Sequence, residues 1–168
     1  VTLSGGEVLS QHAFAVELCG RCAALGIHTA IETSGFAPYE HFRALALAAD
    51  VIFYDIKHLD PVRHRRLTGQ DNRLILENLA HFLAATGKPV HVRLPLVPGL
   101  NDDAAHLEAY GAYLGGLPGG PETVDLEVLP YHRLGKDKYA MLGREYGLGD
   151  TPPMPRDEAE AAVRRLRG

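Results

Sequence analysis

A chain of 168 residues, 46% hydrophobic and 23% charged, has the proportions of one globular domain with a core of its own, spanning residues 1–168. Its formal charge of -4 offers no basic stripe to release counterions from a phosphate backbone, which argues against nucleic acid as a partner. No apolar run approaches the roughly 20 residues of a membrane-spanning helix, no leader pattern stands at the start, and Cys19 and Cys22 are the only cysteines. These features point to a cytoplasmic domain with no membrane partner.

Val1-Thr2-Leu3-Ser4 reads as a short strand running into Gly5-Gly6-Glu7. Paired glycines leave the backbone open to a ligand and tolerate a left-handed turn, and Glu7 sets an anion beside that bare backbone. Gln11 to Leu25 then predicts a helix, with Phe14, Leu18, Cys22 and Leu25 on its buried face and Gly26 as the stop. Strands are expected at Ile27–Thr33, Val51–Lys57, Pro89–Val97 and Val124–Leu129. Helices are expected at about Tyr39–Ala49, Pro61–Leu67 and Arg73–Thr86, then after a cap at Asp102 or Asp103. A long irregular segment, Tyr131 to Pro153, precedes a last helix with Asp157 and Glu158 in its first turn and Arg164, Arg165 and Arg167 in its last. Strand and helix alternate with short connections, so the chain is α/β with a parallel sheet, either a barrel or an open doubly wound sheet.

Each predicted strand ends in polar chemistry: Glu7, then Glu32-Thr33-Ser34, then Asp55-Lys57-His58, then Arg93 and Pro98-Gly99, then His132. In parallel α/β folds the C-terminal strand ends share one rim, where ligands bind. Glu32 and Asp55 suit functional acids there, although solvated or capping acids read the same way locally. Lys57 is either the ion-pair partner of Asp55 or a nucleophilic amine. Arg93, inside a strand, needs an acid or an anionic ligand. Cys19 and Cys22 form a C-x-x-C within a helix, where they read as core packing and are too few for a zinc or iron–sulfur site.

Ser4-Gly5-Gly6-Glu7, Ile27 to Gly35, Tyr54-Asp55-Ile56-Lys57, Arg93 followed by Val97-Pro98-Gly99-Leu100-Asn101-Asp102, and Leu129 to Lys136 stand in an order that resembles the glycyl-radical-enzyme activating enzymes, radical S-adenosylmethionine proteins typified by the pyruvate formate-lyase activator. The resemblance implies a partial TIM-like (β/α)6 radical barrel with five parallel strands and the first strand missing. It also implies reductive cleavage of S-adenosylmethionine by a [4Fe-4S] cluster and radical transfer to a glycine of a partner, a glycyl radical enzyme. The expected electron donor is flavodoxin- or ferredoxin-like. By the same resemblance, Gly5, Gly6 and Glu7 hold the cofactor's amino group through backbone acceptors. Glu32, Thr33 and Asp55 seat a monovalent cation beside its carboxylate, with glutamate standing at 32 where the pyruvate formate-lyase activator has aspartate. Lys57 and His132 contact the cofactor, and Arg93 lines the cavity.

The family's C-x-x-x-C-x-x-C cluster loop does not occur, so cluster ligands are absent and the chain reads as a C-terminal fragment that is inactive alone, with no catalytic residue of its own. The alternative is a cluster-free protein that binds S-adenosylmethionine or docks on a partner. A Lys57-based aldolase or isomerase is a third reading, which leaves the Gly-Gly-Glu turn and the His132 segment without a role.

Overall fold

The computed structural model describes residues 1–135, 139, 141, 143, 145–149 and 151–167; Lys136, which ends the last motif, lies outside them. Five strands pair in parallel in the order β1 (Thr2–Leu3), β2 (Ala30–Thr33), β3 (Val51–Asp55), β4 (Val90–Leu96) and β5 (Val124–Pro130). A 3₁₀ turn, Val8–Gln11, and α1 (His12–Ala24) join β1 to β2, and α2 (Tyr39–Ala48) joins β2 to β3. Next come α3 (Pro61–Thr68) and α4 (Arg73–Thr86), then α5 (Ala104–Gly115) between β4 and β5, and α6 (Arg156–Arg167) last. This strand order decides between the two expected layouts. A doubly wound sheet reverses direction at a switch point, whereas right-handed crossovers that always step the same way put the helices on one face, as in a barrel. The fold is therefore a partial barrel wall.

Period two along the strands divides their side chains between two environments. Ile31, Ile52, Tyr54, Val92, Leu94 and Leu96 are buried in one cluster with Phe42, Leu45, Leu79, Phe82, Leu107 and Tyr110 of the helices. Each large apolar side chain so buried contributes about 1.5–3 kcal/mol. Phe42 meets Tyr54 edge-on at 5.3 Å and Phe82 at 5.3 Å, which fixes α2 and α4 over β3. The alternate residues Glu32, Phe53, Asp55, His91 and Arg93 are half-buried on the other face.

Helix α1 departs from its expected face. Ala15, Cys19 and Cys22 are buried, whereas Phe14 is 65% and Leu25 76% exposed. Small residues let α1 approach α2 and the sheet closely, and this turns the bulky stripe outward. Both cysteines are free and buried, the core role expected of them. Strand β2 starts at Ala30 rather than Ile27, because the Ile27 amide is used on the Cys22 carbonyl to close α1. Asp103, not Asp102, caps α5 by accepting from the His106 amide at 2.9 Å; Asp102 accepts from Gly99 instead.

Gly35, just past β2, has φ +71, and a Cβ there would lie 1.9 Å from the Tyr54 hydroxyl. Tyr54 is held by donating to the Ile75 carbonyl at 2.7 Å, and Asn78 donates to the carbonyls of Gly35 and Ala37. Backbone strain and overpacking therefore add at this position. Gly35→Ala is expected to cost roughly 3 kcal/mol, a fall in Tm of about 6–12 °C in a chain of this size. Gly6→Ala, whose Cβ meets nothing within 4 Å, is expected to cost about half as much, and thermal melts of the two variants check the ranking.

Candidate functional site at the strand ends

The turn after β1 is built by two left-handed glycines, Gly5 at φ +88 and Gly6 at φ +70. It carries Glu7 across to β2. One carboxylate oxygen of Glu7 accepts from the Thr33 hydroxyl at 2.5 Å and the Leu9 amide at 3.2 Å; the other accepts from the Ser34 amide at 2.9 Å and hydroxyl at 2.6 Å. The Thr33 hydroxyl in turn accepts from the Gly35 amide at 2.9 Å. Four donors saturate a carboxylate. Glu7 is therefore an anchor that joins two strand ends.

Gly6, Glu7, Glu32, Thr33, Ser34, Asp55 and Lys57 line one cleft of about 280 Å³. Six of the nine residues expected at the site thus converge there from the ends of β1, β2 and β3. Gly5 adjoins them in the turn. Lys57 reaches Asp55 at 3.2 Å, and both remain partly open to solvent. The lining is polar and carries charged groups of both signs, so the cleft suits a polar, charged group.

Arg93 meets acids rather than open space. Its Nη1 pairs with Glu32 at 2.9 Å, its Nε with Glu127 at 2.7 Å, and its guanidinium lies 3.7 Å over the Phe53 ring. Side chains from β2, β3, β4 and β5 are tied together by this one cation, which meets the cleft through Glu32. The second oxygen of Glu32 accepts from the Ser4 hydroxyl. The Ser4 bond first, and Arg93 second, hold the Glu32 carboxyl below its usual 4.5. His132, just past β5, is exposed and lies outside the cleft lining. Next to Lys57, His58 is buried against His106, with ring centroids 3.9 Å apart. Burial drives His58 down and His106 to about 4, so both rings are neutral near pH 7.

Ser4, Ser34 and Phe53 make contacts that local pattern did not assign. The two serines stood in or beside the quoted motifs, and the signal for Phe53 was its place two residues before Asp55 on the same strand face. The cysteines lie elsewhere. Cys19 is held near Thr29, Asp50 and Lys88, which precede β2, β3 and β4 and so mark the N-terminal rim, and burial raises its thiol. There Asp50 accepts from the Thr29 amide at 2.7 Å and hydroxyl at 3.0 Å, a structural clasp. Neither cysteine fits a cluster beside the cleft. Among the described residues, no three His, Cys, Asp or Glu side chains are grouped to hold a metal ion, and no helix is long and apolar enough to cross a membrane.

A one-directional parallel sheet with a polar cleft at its C-terminal rim defines a partial (β/α) barrel. The pattern of the Radical SAM superfamily matches residues 1–109, and the chain belongs to that superfamily. Its relatives are activating enzymes of glycyl radical enzymes. It is 40% identical over 168 residues to the choline trimethylamine-lyase activating enzyme of Oleidesulfovibrio alaskensis, covering 98% of this chain and 54% of that protein. It is 40% identical to the isethionate sulfite-lyase activating enzyme of Nitratidesulfovibrio vulgaris, covering 96% and 53%. Against the trans-4-hydroxy-L-proline dehydratase activating enzyme of Clostridioides difficile the identity is 38%, covering 99% and 54%. The chain thus spans about half the length of these curated relatives. A solved domain of pyruvate-formate lyase-activating enzyme from Bacteroides vulgatus shares the fold, with TM-score 0.79 and 24% identity over 99% of this chain and 91% of that one.

A carboxyl depressed in the folded state stabilises the fold fully above its unfolded value, and that stability is lost as pH falls through the folded value. For Glu32 the loss begins below 4.5. Urea midpoints measured between about pH 6 and pH 3 are expected to fall more for the wild-type chain than for Glu32→Gln. The other depressed carboxyls, Asp50, Asp60, Asp71 and Asp103, contribute to both curves and cancel in the comparison.

Proposed function

We propose that this chain belongs to an activating enzyme that reductively cleaves S-adenosylmethionine with a [4Fe-4S] cluster and so generates a glycyl radical on a partner enzyme. The observation that carries the reading is the convergence of Gly6, Glu32, Thr33, Asp55 and Lys57 on one cleft, in a chain of the superfamily defined by that cofactor. The named relatives support the activating role and the glycyl radical enzyme as partner. A flavodoxin- or ferredoxin-like protein is the proposed electron donor.

Bound S-adenosylmethionine supplies the cleavable sulfonium. The chain's own residues bind and orient its amino-acid end. Backbone carbonyls of the Gly5-Gly6 turn accept from the ammonium, since Glu7 is fully engaged in holding that turn. The Lys57 ammonium, balanced by Asp55, faces the carboxylate. Glu32, Thr33 and Asp55 on the cleft wall are the proposed seat of a monovalent cation, and Arg93 already sets one positive charge against Glu32. His132, just past β5 and outside the cleft lining, would contact the part of the cofactor that extends beyond the cleft, and Arg93 would back the cavity through Glu32. The cluster requires thiolates from outside this segment, because Cys19 and Cys22 sit at the opposite rim.

The test is anaerobic iron–sulfur reconstitution of the whole protein, followed by assay of 5′-deoxyadenosine formed with a chemical reductant. Wild-type protein is expected to form it, and the double variant Cys19→Ala, Cys22→Ala to retain full iron content. Lys57→Ala and Asp55→Asn are expected to raise KM for S-adenosylmethionine about tenfold or more, the size of a charge-assisted contact. A protein that binds S-adenosylmethionine without iron would instead establish the cluster-free reading.

A further inference from the structure

We propose that Asn101 is a positioning residue for Lys57, holding the backbone from which that lysine enters the cleft; this rests on the S-adenosylmethionine reading of the cleft. Lys57 stands beyond the last residue of β3, and the final ladder contact there is the Ile56 amide donating to the Arg93 carbonyl at 3.0 Å. From that point no strand among the described residues pairs with the chain. The next four carbonyls are nevertheless all taken by buried side chains. Tyr110 donates to Ile56 at 3.1 Å, Asn101 to Lys57 at 2.9 Å, and Asn72 to His58 at 2.7 Å and Leu59 at 2.6 Å. These three donors are 0%, 3% and 1% exposed.

Asn101 is distinct among them because it also holds the exit of the neighbouring strand β4. Its second amide contact goes to the Pro95 carbonyl at 2.8 Å, and its side-chain oxygen accepts from the Val97 amide at 2.8 Å. One buried amide therefore pins the exit of β3 to the exit of β4. A lysine has four rotatable bonds, so its ammonium is placed only as well as its backbone is placed. Displacement of a positioning contact by about 1 Å is enough to cost a hundredfold in the worst case.

The test is steady-state kinetics of the reconstituted whole protein, with S-adenosylmethionine varied and 5′-deoxyadenosine measured. Asn101→Ala is expected to raise KM about tenfold with kcat changed less than about threefold. Asn72→Ala, which frees the following two carbonyls but not that of Lys57, is expected to leave KM within about twofold. In a Lys57→Ala background, Asn101→Ala is expected to add no further rise, since its effect passes through the lysine. An equal rise in both backgrounds, or an unchanged KM in Asn101→Ala, overturns the proposal. An unchanged KM in Lys57→Ala alone overturns the cleft reading itself, and the two failures are thereby told apart. Should Asn101→Ala fail to fold, Asn101→Leu, close to asparagine in size and with no donor for the Lys57 carbonyl, is taken through the same cycle with the same criteria.

Discussion

The carboxylate of Glu7 is the point on which the C-terminal rim depends. It accepts from Leu9, Thr33 and both donors of Ser34, and so welds the exit of β1 to the exit of β2. An acid so occupied has no lone pair left for a ligand. The Gly-Gly-Glu sequence therefore divides its labour: the glycines expose backbone in a left-handed turn, and the glutamate fixes where that turn stands. Charge on the acid serves geometry.

Across the open face of the sheet, electrostatics continue the same design. Arg93 joins Glu32 and Glu127 from strands on either side of β3 and rests on Phe53 of the strand between. Desolvating one guanidinium is offset only because two carboxylates and a ring face surround it. At the other rim, Lys88 donates to the carbonyls of Ala46 and Ala49, and Asp50 clasps Thr29. That end is built for stability. The two rims of one sheet thus carry different work, which is the usual division in barrels of parallel strands.

Much of this was legible from local pattern. Helix α4 was expected at Arg73–Thr86 and stands there, because its apolar period and its terminal glycine agree. Parallel strands and polar strand ends were equally clear, since each is written in consecutive residues. Strand order decided barrel against doubly wound sheet, and order is a long-range property that spacing does not encode. The outward turn of Phe14 and Leu25 was also hidden: helix periodicity marks an apolar stripe, but which stripe faces the sheet depends on how closely α1 can approach, and small Ala15 and Cys19 permit the shorter distance. Asn101 stood in a quoted motif without a role, because its partners, Lys57 and Pro95, are carbonyls on two different strand exits. Arg93, inside a strand, requires an acid or an anion, and two acids from other strands answer that requirement.

We propose that the glycine-turn backbone, held by Glu7, receives the amino end of S-adenosylmethionine. The most direct measurement is an anaerobic crystal structure of the whole reconstituted protein with S-adenosylmethionine bound. The ammonium is expected against carbonyls of Gly5-Gly6, with Glu7 still bonded to Thr33 and Ser34 and Lys57 facing the carboxylate. A Glu7 side chain swung free to take the ammonium itself, or the amino-acid end bound away from the β1–β3 exits, would contradict it.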